Sequence, residues 1–231
     1  MHVTRLALLL LLVLTLAACG GDDGVVGDAA PPETVAETEQ VTTVEPQSGG
    51  CDPVDAPAPR EDEPRTAPTE QLDAETTYSL RVQTNCGNFT IDLDPETAPK
   101  AAASLVALAR GGFFDGTTFH RVVPGFVIQG GDPTGTGAGG PGYSTVDPPP
   151  EDARYTKGVV AMAKTQTEAA GTAGSQFFVV TGEDIGLPPD YAIVGRVVRG
   201  LETVLTIEAL GQGDGPPSQP VVIQKVTVEE S

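Results

Sequence analysis

In the stretch Phe119-His120-Arg121-Val122-Val123-Pro124-Gly125-Phe126-Val127-Ile128-Gln129-Gly130-Gly131-Asp132, an arginine, a phenylalanine and a glutamine recur at strand spacing ahead of a glycine turn. These residues mark the working edge of the chain, and the chemistries they lack narrow the reading. Nucleophilic catalysis needs a base beside its nucleophile. His2 falls in the leader, His120 is the only other histidine, and no Gly-x-Ser-x-Gly elbow occurs. Glycine pairs are plentiful, but none sits in a phosphate loop with its Lys-Ser/Thr. Two cysteines and one histidine do not make a closed tetrahedral metal set. The chemistry is left to something other than covalent catalysis or a metal.

The elements that must carry these residues follow from period and punctuation. Residues 78–84 and 88–93 alternate apolar and polar side chains across Asn85-Cys86-Gly87, the pattern of a β-hairpin turned by glycine. A helix is predicted from Thr97 or Ala98, with Pro99 in its first turn, Ala102, Leu105, Val106 and Ala109 on one face, and Gly111 just past its end. Strands are predicted again at 118–123, 126–129, 159–163, 176–180 and 192–197, then a short helix at 201–210 and a last strand at 221–228. About eight strands with two helices cannot form a parallel doubly wound sheet, which needs a helix at nearly every crossover. The count predicts a mainly β domain, a closed antiparallel barrel with helices plugging its ends. Between Gly130 and Lys157 the chain is rich in Gly and Pro, a long irregular loop of the kind a compact domain keeps for function.

Of the 231 residues, only the part after about residue 75 can build a core, because all seven Phe and all four Tyr lie between Tyr78 and Tyr191. Residues 1–18 have the plan of a secretory leader: Arg5, an apolar run, then small residues. Leu16-Ala17-Ala18-Cys19 resembles the bacterial lipobox, which implies diacylglyceryl attachment at Cys19, cleavage before it, and anchorage to the outer face of the cell membrane. An ordinary cleaved leader with an incidental cysteine is the competing reading. Residues 19–75 are predicted to be a disordered acidic tether, rich in Pro, Thr, Ala and Glu, too polar to offset the entropy of ordering. Residues 20–75 hold 15 acidic and two basic residues of a chain whose net charge is -19, so the folded part is only mildly acidic. Neither half offers a basic stripe for a phosphate backbone, which argues against nucleic acid as a partner. Cys51 and Cys86 form an even pair once Cys19 is lipidated, a candidate disulfide outside the cytoplasm against two free thiols.

Phe119-His120-Arg121-Val122-Val123-Pro124-Gly125-Phe126 with Gln129-Gly130-Gly131-Asp132, followed by Ala161-Met162-Ala163 and Gly174-Ser175-Gln176-Phe177-Phe178, resembles the cyclophilin peptidyl-prolyl isomerases. The resemblance runs through nearly all of residues 78–229 and implies an eight-stranded barrel capped by two helices, in agreement with the count above. It implies that Arg121 is the catalytic arginine, that Gln129 holds the substrate backbone, and that Phe126, Val127, Phe178 and Leu187 form the pocket for a proline ring. Ala163, Lys164 and Gln176 match positions that contact the residues before the proline, and His120 is expected to be structural. The implied reaction is non-covalent rotation about X-Pro bonds and needs no cofactor. Exported, proline-containing polypeptides are the implied clients of a protein expected to be a monomer. A cyclophilin-fold module that holds proline segments without turnover is the alternative.

Departures from the family fall mainly on the 186–191 edge. Gly186 stands where a tryptophan is frequent, Tyr191 where a histidine is, and Val127 where methionine is common, and the chain has no Trp at all. Tyr191 can still close the pocket with its ring and offer a hydroxyl. Cyclosporin binding is put in doubt by the missing tryptophan, and the segment 165–174 is longer than usual beside the groove.

Overall fold

The structure, a computed structural model, describes residues 50–231 except Asp62 and Glu63. The leader, Cys19 and the first part of the expected tether lie outside the described residues. The chain runs β1 (Tyr78–Thr84), β2 (Gly87–Leu93), α1 (Pro99–Arg110), β3 (Thr117–Thr118), β4 (Arg121–Val123), β5 (Val127–Gly130), β6 (Thr145–Val146), β7 (Val159–Met162), β8 (Thr172–Ala173), β9 (Phe177–Val180), β10 (Ile193–Arg199), α2 (Leu201–Glu208) and β11 (Val222–Glu230). Nine strands form one antiparallel sheet in the order β3-β11-β1-β2-β10-β7-β9-β5-β4. Its two edge strands, β3 and β4, are separated in the chain only by Phe119 and His120, so the covalent chain closes the ring. Taken as one interrupted strand they give the eight expected.

Local chemistry explains the ends of these elements. At the β1–β2 turn the Thr84 hydroxyl donates to Gly87 O at 2.8 Å and accepts from Cys86 N at 3.0 Å. Helix α1 starts at Pro99, whose missing N–H is an orphan in a first turn anyway, and ends at Gly111. All four residues of its predicted stripe are buried. Helix α2 buries Thr203, Val204 and Ile207. It is entered through Gly200 at φ 76°, where a Cβ would lie 2.2 Å from Asn88 O, so both the left-handed backbone and the close approach require glycine. The ladder β6–β8 was not foreseen. It pairs two residues with two, too short to leave a period in the sequence.

Period two along the strands divides the molecule into a core and a site. Ile128, Val160, Met162, Phe177 and Val179 belong to the main core, where the Phe177 ring meets Phe114 and Phe119 edge-on at 6.0 Å each. Their neighbours Val127, Val159, Ala161, Phe178 and Val180 point the other way and join Tyr155 in a second apolar cluster. Phe178 is therefore not barrel core; it belongs to the outward face on which the groove is built.

The last part of the expected tether differs from a solvated spacer. Cys51 is joined to Cys86 by a disulfide, and next to it Asp52 N donates to Asn85 O at 2.7 Å. Further on, Arg60 N donates to Pro133 O at 3.0 Å and Arg65 N to Pro141 O at 2.8 Å, both on the Gly-rich loop. The Arg60 and Arg65 guanidinium groups stand 5.8 and 5.9 Å from the Phe113 ring centroid, and Arg60 also donates to Phe113 O. A covalent staple, backbone hydrogen bonds and cation–π contacts do the ordering, and none of these shows in hydrophobic patterning.

Candidate substrate groove

Strand register assembles the site. Arg121 on β4 is opposite Gln129 on β5, Gln129 is opposite Phe178 on β9, and Phe178 is opposite Ala161 on β7. Directly paired residues share a face, so the four side chains form one row across four strands on the outer surface. One register slip would send Ile128 and Phe177 outward in their place. Above this row lies an open groove of about 300 Å³, whose lining includes the polar Arg121 and Gln129 together with Ala163, Phe126, Phe178, Leu187 and Tyr191. Val127, Lys164 and Gln166 complete it. Gln176, assigned with these residues from the sequence, lines an adjoining groove of about 310 Å³ that shares Gln129, Ala163 and Lys164.

A chain of polar contacts holds the upper edge. Arg121 Nη1 donates to Gln129 Oε1 at 3.3 Å, Gln129 Nε2 to Gln176 Oε1 at 3.1 Å, and Gln176 Nε2 to Gly139 O at 3.0 Å. The guanidinium also lies 5.8 Å from the Phe126 ring centroid. The fully buried Asp132 accepts from Thr134 N, the Thr134 hydroxyl, Gly137 N and Gly139 N at 2.6–3.2 Å, fixing the loop that offers Gly139 O. Burial alone would raise the Asp132 pKa, but the bonds from Thr134, Gly139 and Gly137 together hold it below 3.8.

Tyr191 rests on a residue that sequence reasoning missed. Tyr155 is completely buried; its hydroxyl donates to Tyr191 O at 2.7 Å and accepts from Tyr191 N at 2.9 Å. Burial raises its pKa, so the phenol keeps the proton it donates. The Tyr191 ring packs edge-on against Phe178 at 5.6 Å and against Tyr155 at 6.0 Å. The only hint in the sequence was an aromatic residue at the end of a Gly/Pro-rich loop. Lys164 does not present a free charge to the groove. Its side chain is 1% exposed, with Nζ 2.6 Å from Asp190 Oδ2, 3.2 Å from the carbonyls of Thr165 and Glu168, and 5.3 Å from the Tyr191 ring centroid. It ties the 165–168 turn to the 187–191 loop, and its side chain adds almost nothing to the exposed surface of the groove.

His120 stands behind Arg121 and outside the groove lining. Burial pushes its imidazole pKa below 6.5 against the attraction of Asp132. A folded state that resists a proton which the unfolded chain accepts loses stability as pH falls through the unfolded pKa. The domain is therefore expected to melt lower at pH 5 than at pH 7.5, and His120→Gln to flatten that slope above pH 5. Thermal unfolding at fixed ionic strength checks it; an unchanged slope in the variant refutes the assignment.

With the groove in place, comparison with known proteins is decisive. The family model for cyclophilin type peptidyl-prolyl cis-trans isomerases matches residues 79–228. The chain belongs to this family. Among its relatives, the cyclophilin shares 38% identity over 172 residues with peptidyl-prolyl cis-trans isomerase A of Mycobacterium tuberculosis, an overlap covering 66% of this chain and 92% of that protein. A Schizosaccharomyces pombe peptidyl-prolyl cis-trans isomerase is 42% identical over 127 residues, covering 53% of this chain and 80% of that protein. The crystal structure of a cyclophilin type peptidyl-prolyl cis-trans isomerase from Cryptosporidium parvum superposes with a TM-score of 0.61 at 33% identity, covering 66% of this chain and 98% of that one. A second structure of that protein, in the presence of the dipeptide Ala-Pro, gives a TM-score of 0.60 at the same identity, covering 65% and 98%. The cyclophilin barrel here thus carries the fold that the strand count predicts, with Tyr191 buttressed by Tyr155 in the groove lining.

Proposed function

We infer that the groove binds X-Pro segments and accelerates rotation about their peptide bond, with Arg121 as the catalytic residue. The observation that carries this is the row Arg121–Gln129–Phe178 running beneath an apolar wall. An X-Pro bond rotates across a barrier of about 18–20 kcal/mol because rotation breaks amide resonance. In the twisted state the proline nitrogen is pyramidal and accepts a hydrogen bond that the planar amide does not. A guanidinium beside it therefore binds the transition state better than the ground state, which is the condition for acceleration. Phe126, Phe178, Leu187 and Tyr191 clamp the ring, Gln129 holds the backbone, and Ala163 and Gln176 flank the residues that precede the proline. The Ala-Pro dipeptide used with the Cryptosporidium relative supports a small residue before proline as the first probe. The test is an isomerisation assay on Ala-Pro peptides, with Arg121→Ala alongside; equal rates with and without the protein would leave only binding.

The clients we propose are exported polypeptides outside the cytoplasmic membrane. The leader and Leu16-Ala17-Ala18-Cys19 support this, with a lipid on Cys19 as the anchor. No helix among the described residues is long and apolar enough to cross a membrane. Mass spectrometry of the mature N-terminal peptide is expected to find Cys19 carrying acyl chains, and Cys19→Ala to release the protein into the buffer-soluble fraction. An unlipidated peptide beginning elsewhere overturns the anchor.

A further inference from the structure

The segment 211–218, Gly-Gln-Gly-Asp-Gly-Pro-Pro-Ser, carries no apolar period, yet it lies against the outer edge of β4. Gly215 O accepts from Val122 N at 2.8 Å, the outward amide of the residue after Arg121, and Ser218 N donates to Leu210 O at 2.8 Å. A Cβ at Gly211 would come within 2.7 Å of Pro124 Cδ and 3.0 Å of Val122 O, so only glycine lets the loop approach so closely. These contacts place Asp214 beside the guanidinium. Asp214 Oδ1 accepts from Arg121 Nε at 2.6 Å and Oδ2 from Arg121 Nη2 at 2.9 Å, a two-point carboxylate–guanidinium fork.

Donor arithmetic shows what the fork does. A guanidinium has five N–H donors. Asp214 takes one from Nε and one from Nη2, and Gln129 takes one from Nη1. One donor is left on each terminal nitrogen. Without Asp214 the group would keep only the 3.3 Å bond to Gln129 and the ring of Phe126, and it could swing about its own torsions. The Asp214 side chain is 66% exposed, so as a stabilising ion pair it contributes little. Its effect is on orientation. We propose that Asp214 is a positioning residue for the isomerase, clamping Arg121 so that its two remaining terminal donors are pre-aimed at the twisted X-Pro bond.

This rests on the isomerase reading, and the test separates the two. Asp214→Ala, Asp214→Asn and Asp214→Glu are compared with wild type by NMR exchange on an Ala-Pro peptide, which yields kcat and KM, and by the Arg121 Nε–H resonance. Loss of aim at a reacting centre lowers kcat rather than affinity, here by about tenfold in Asp214→Ala with KM within about twofold. Asp214→Asn, which keeps shape but loses the second acceptor, is expected to fall between, and Asp214→Glu to recover a large part of kcat. The Nε–H signal is expected to exchange slowly in wild type and to broaden in Asp214→Ala. A kcat within about twofold of wild type in Asp214→Ala, or an unchanged Nε–H signal, overturns the proposal. Were wild type to show no turnover, the isomerase reading would fall, and the Nε–H signal would still decide whether Asp214 holds Arg121.

Discussion

Replacing Arg121 by alanine is expected to lower kcat/KM for an Ala-Pro peptide by about 10²–10³-fold, with peptide affinity changed by no more than about threefold. The magnitude follows from the kind of interaction removed. A charged donor aimed at an atom that becomes a good acceptor only in the transition state is worth roughly 2.7–4 kcal/mol in a partly water-excluded site. The ground state loses little, because the proline ring is held by Phe126, Phe178, Leu187 and Tyr191, and the peptide backbone by Gln129. Arg121→Lys tests the same point by another route. An ammonium keeps the charge but not the planar fork that meets Asp214 and Gln129 together, so it is expected to recover only a small part of the rate. NMR exchange measures both quantities on one sample. Preserved binding with an unchanged rate in Arg121→Ala would assign the chemistry elsewhere, whereas binding without turnover in wild type would make the domain a proline-segment reader.

Much of this site was legible before any coordinates, for a reason visible in the register. Arg121, Gln129 and Phe178 are far apart in sequence but sit in strands whose alternation fixes which face each residue takes. Once the barrel is inferred, their convergence follows. What stayed hidden is held by loops. Asp214 lies in a Gly/Pro segment whose path is set by backbone contacts to Val122 and Pro124, and a solvated aspartate in such a segment reads the same as a working one. Tyr155 acts through its hydroxyl on the backbone of Tyr191, a contact across 36 residues that no local period encodes. Lys164 matches a position that contacts substrate in the family it resembles. Only the Asp190 carboxylate and two turn carbonyls around its ammonium show that its charge is already engaged.

The strap that begins at Cys51 is the other element that hydrophobic patterning does not reveal, and it carries the largest expected effect on stability. Reducing the disulfide, or replacing both cysteines by serine, is expected to cost about 3–4 kcal/mol, since the link closes a loop with a sequence separation of 35 residues in the unfolded chain. For a domain of this size that is a fall of roughly 10 °C in melting temperature. The strap has little apolar surface of its own, so it is expected to loosen from Pro133, Pro141 and Phe113 once the staple is gone. Arg60 and Arg65 should then become open to trypsin, giving fragments that begin at Glu61 and Thr66, whereas the oxidised protein resists cleavage at both. The isomerase groove should notice far less. Arg121, Gln129 and Phe178 are carried by ladder hydrogen bonds of the sheet, whereas the strap meets the Gly-rich loop, which reaches them through Gly139 O. A drop in kcat/KM of no more than about threefold is therefore expected in the double serine variant, alongside the full loss in melting temperature. Equal melting of oxidised and reduced protein, with trypsin sites still protected, would show that the strap is held by its non-covalent contacts alone and that the staple contributes nothing to the fold.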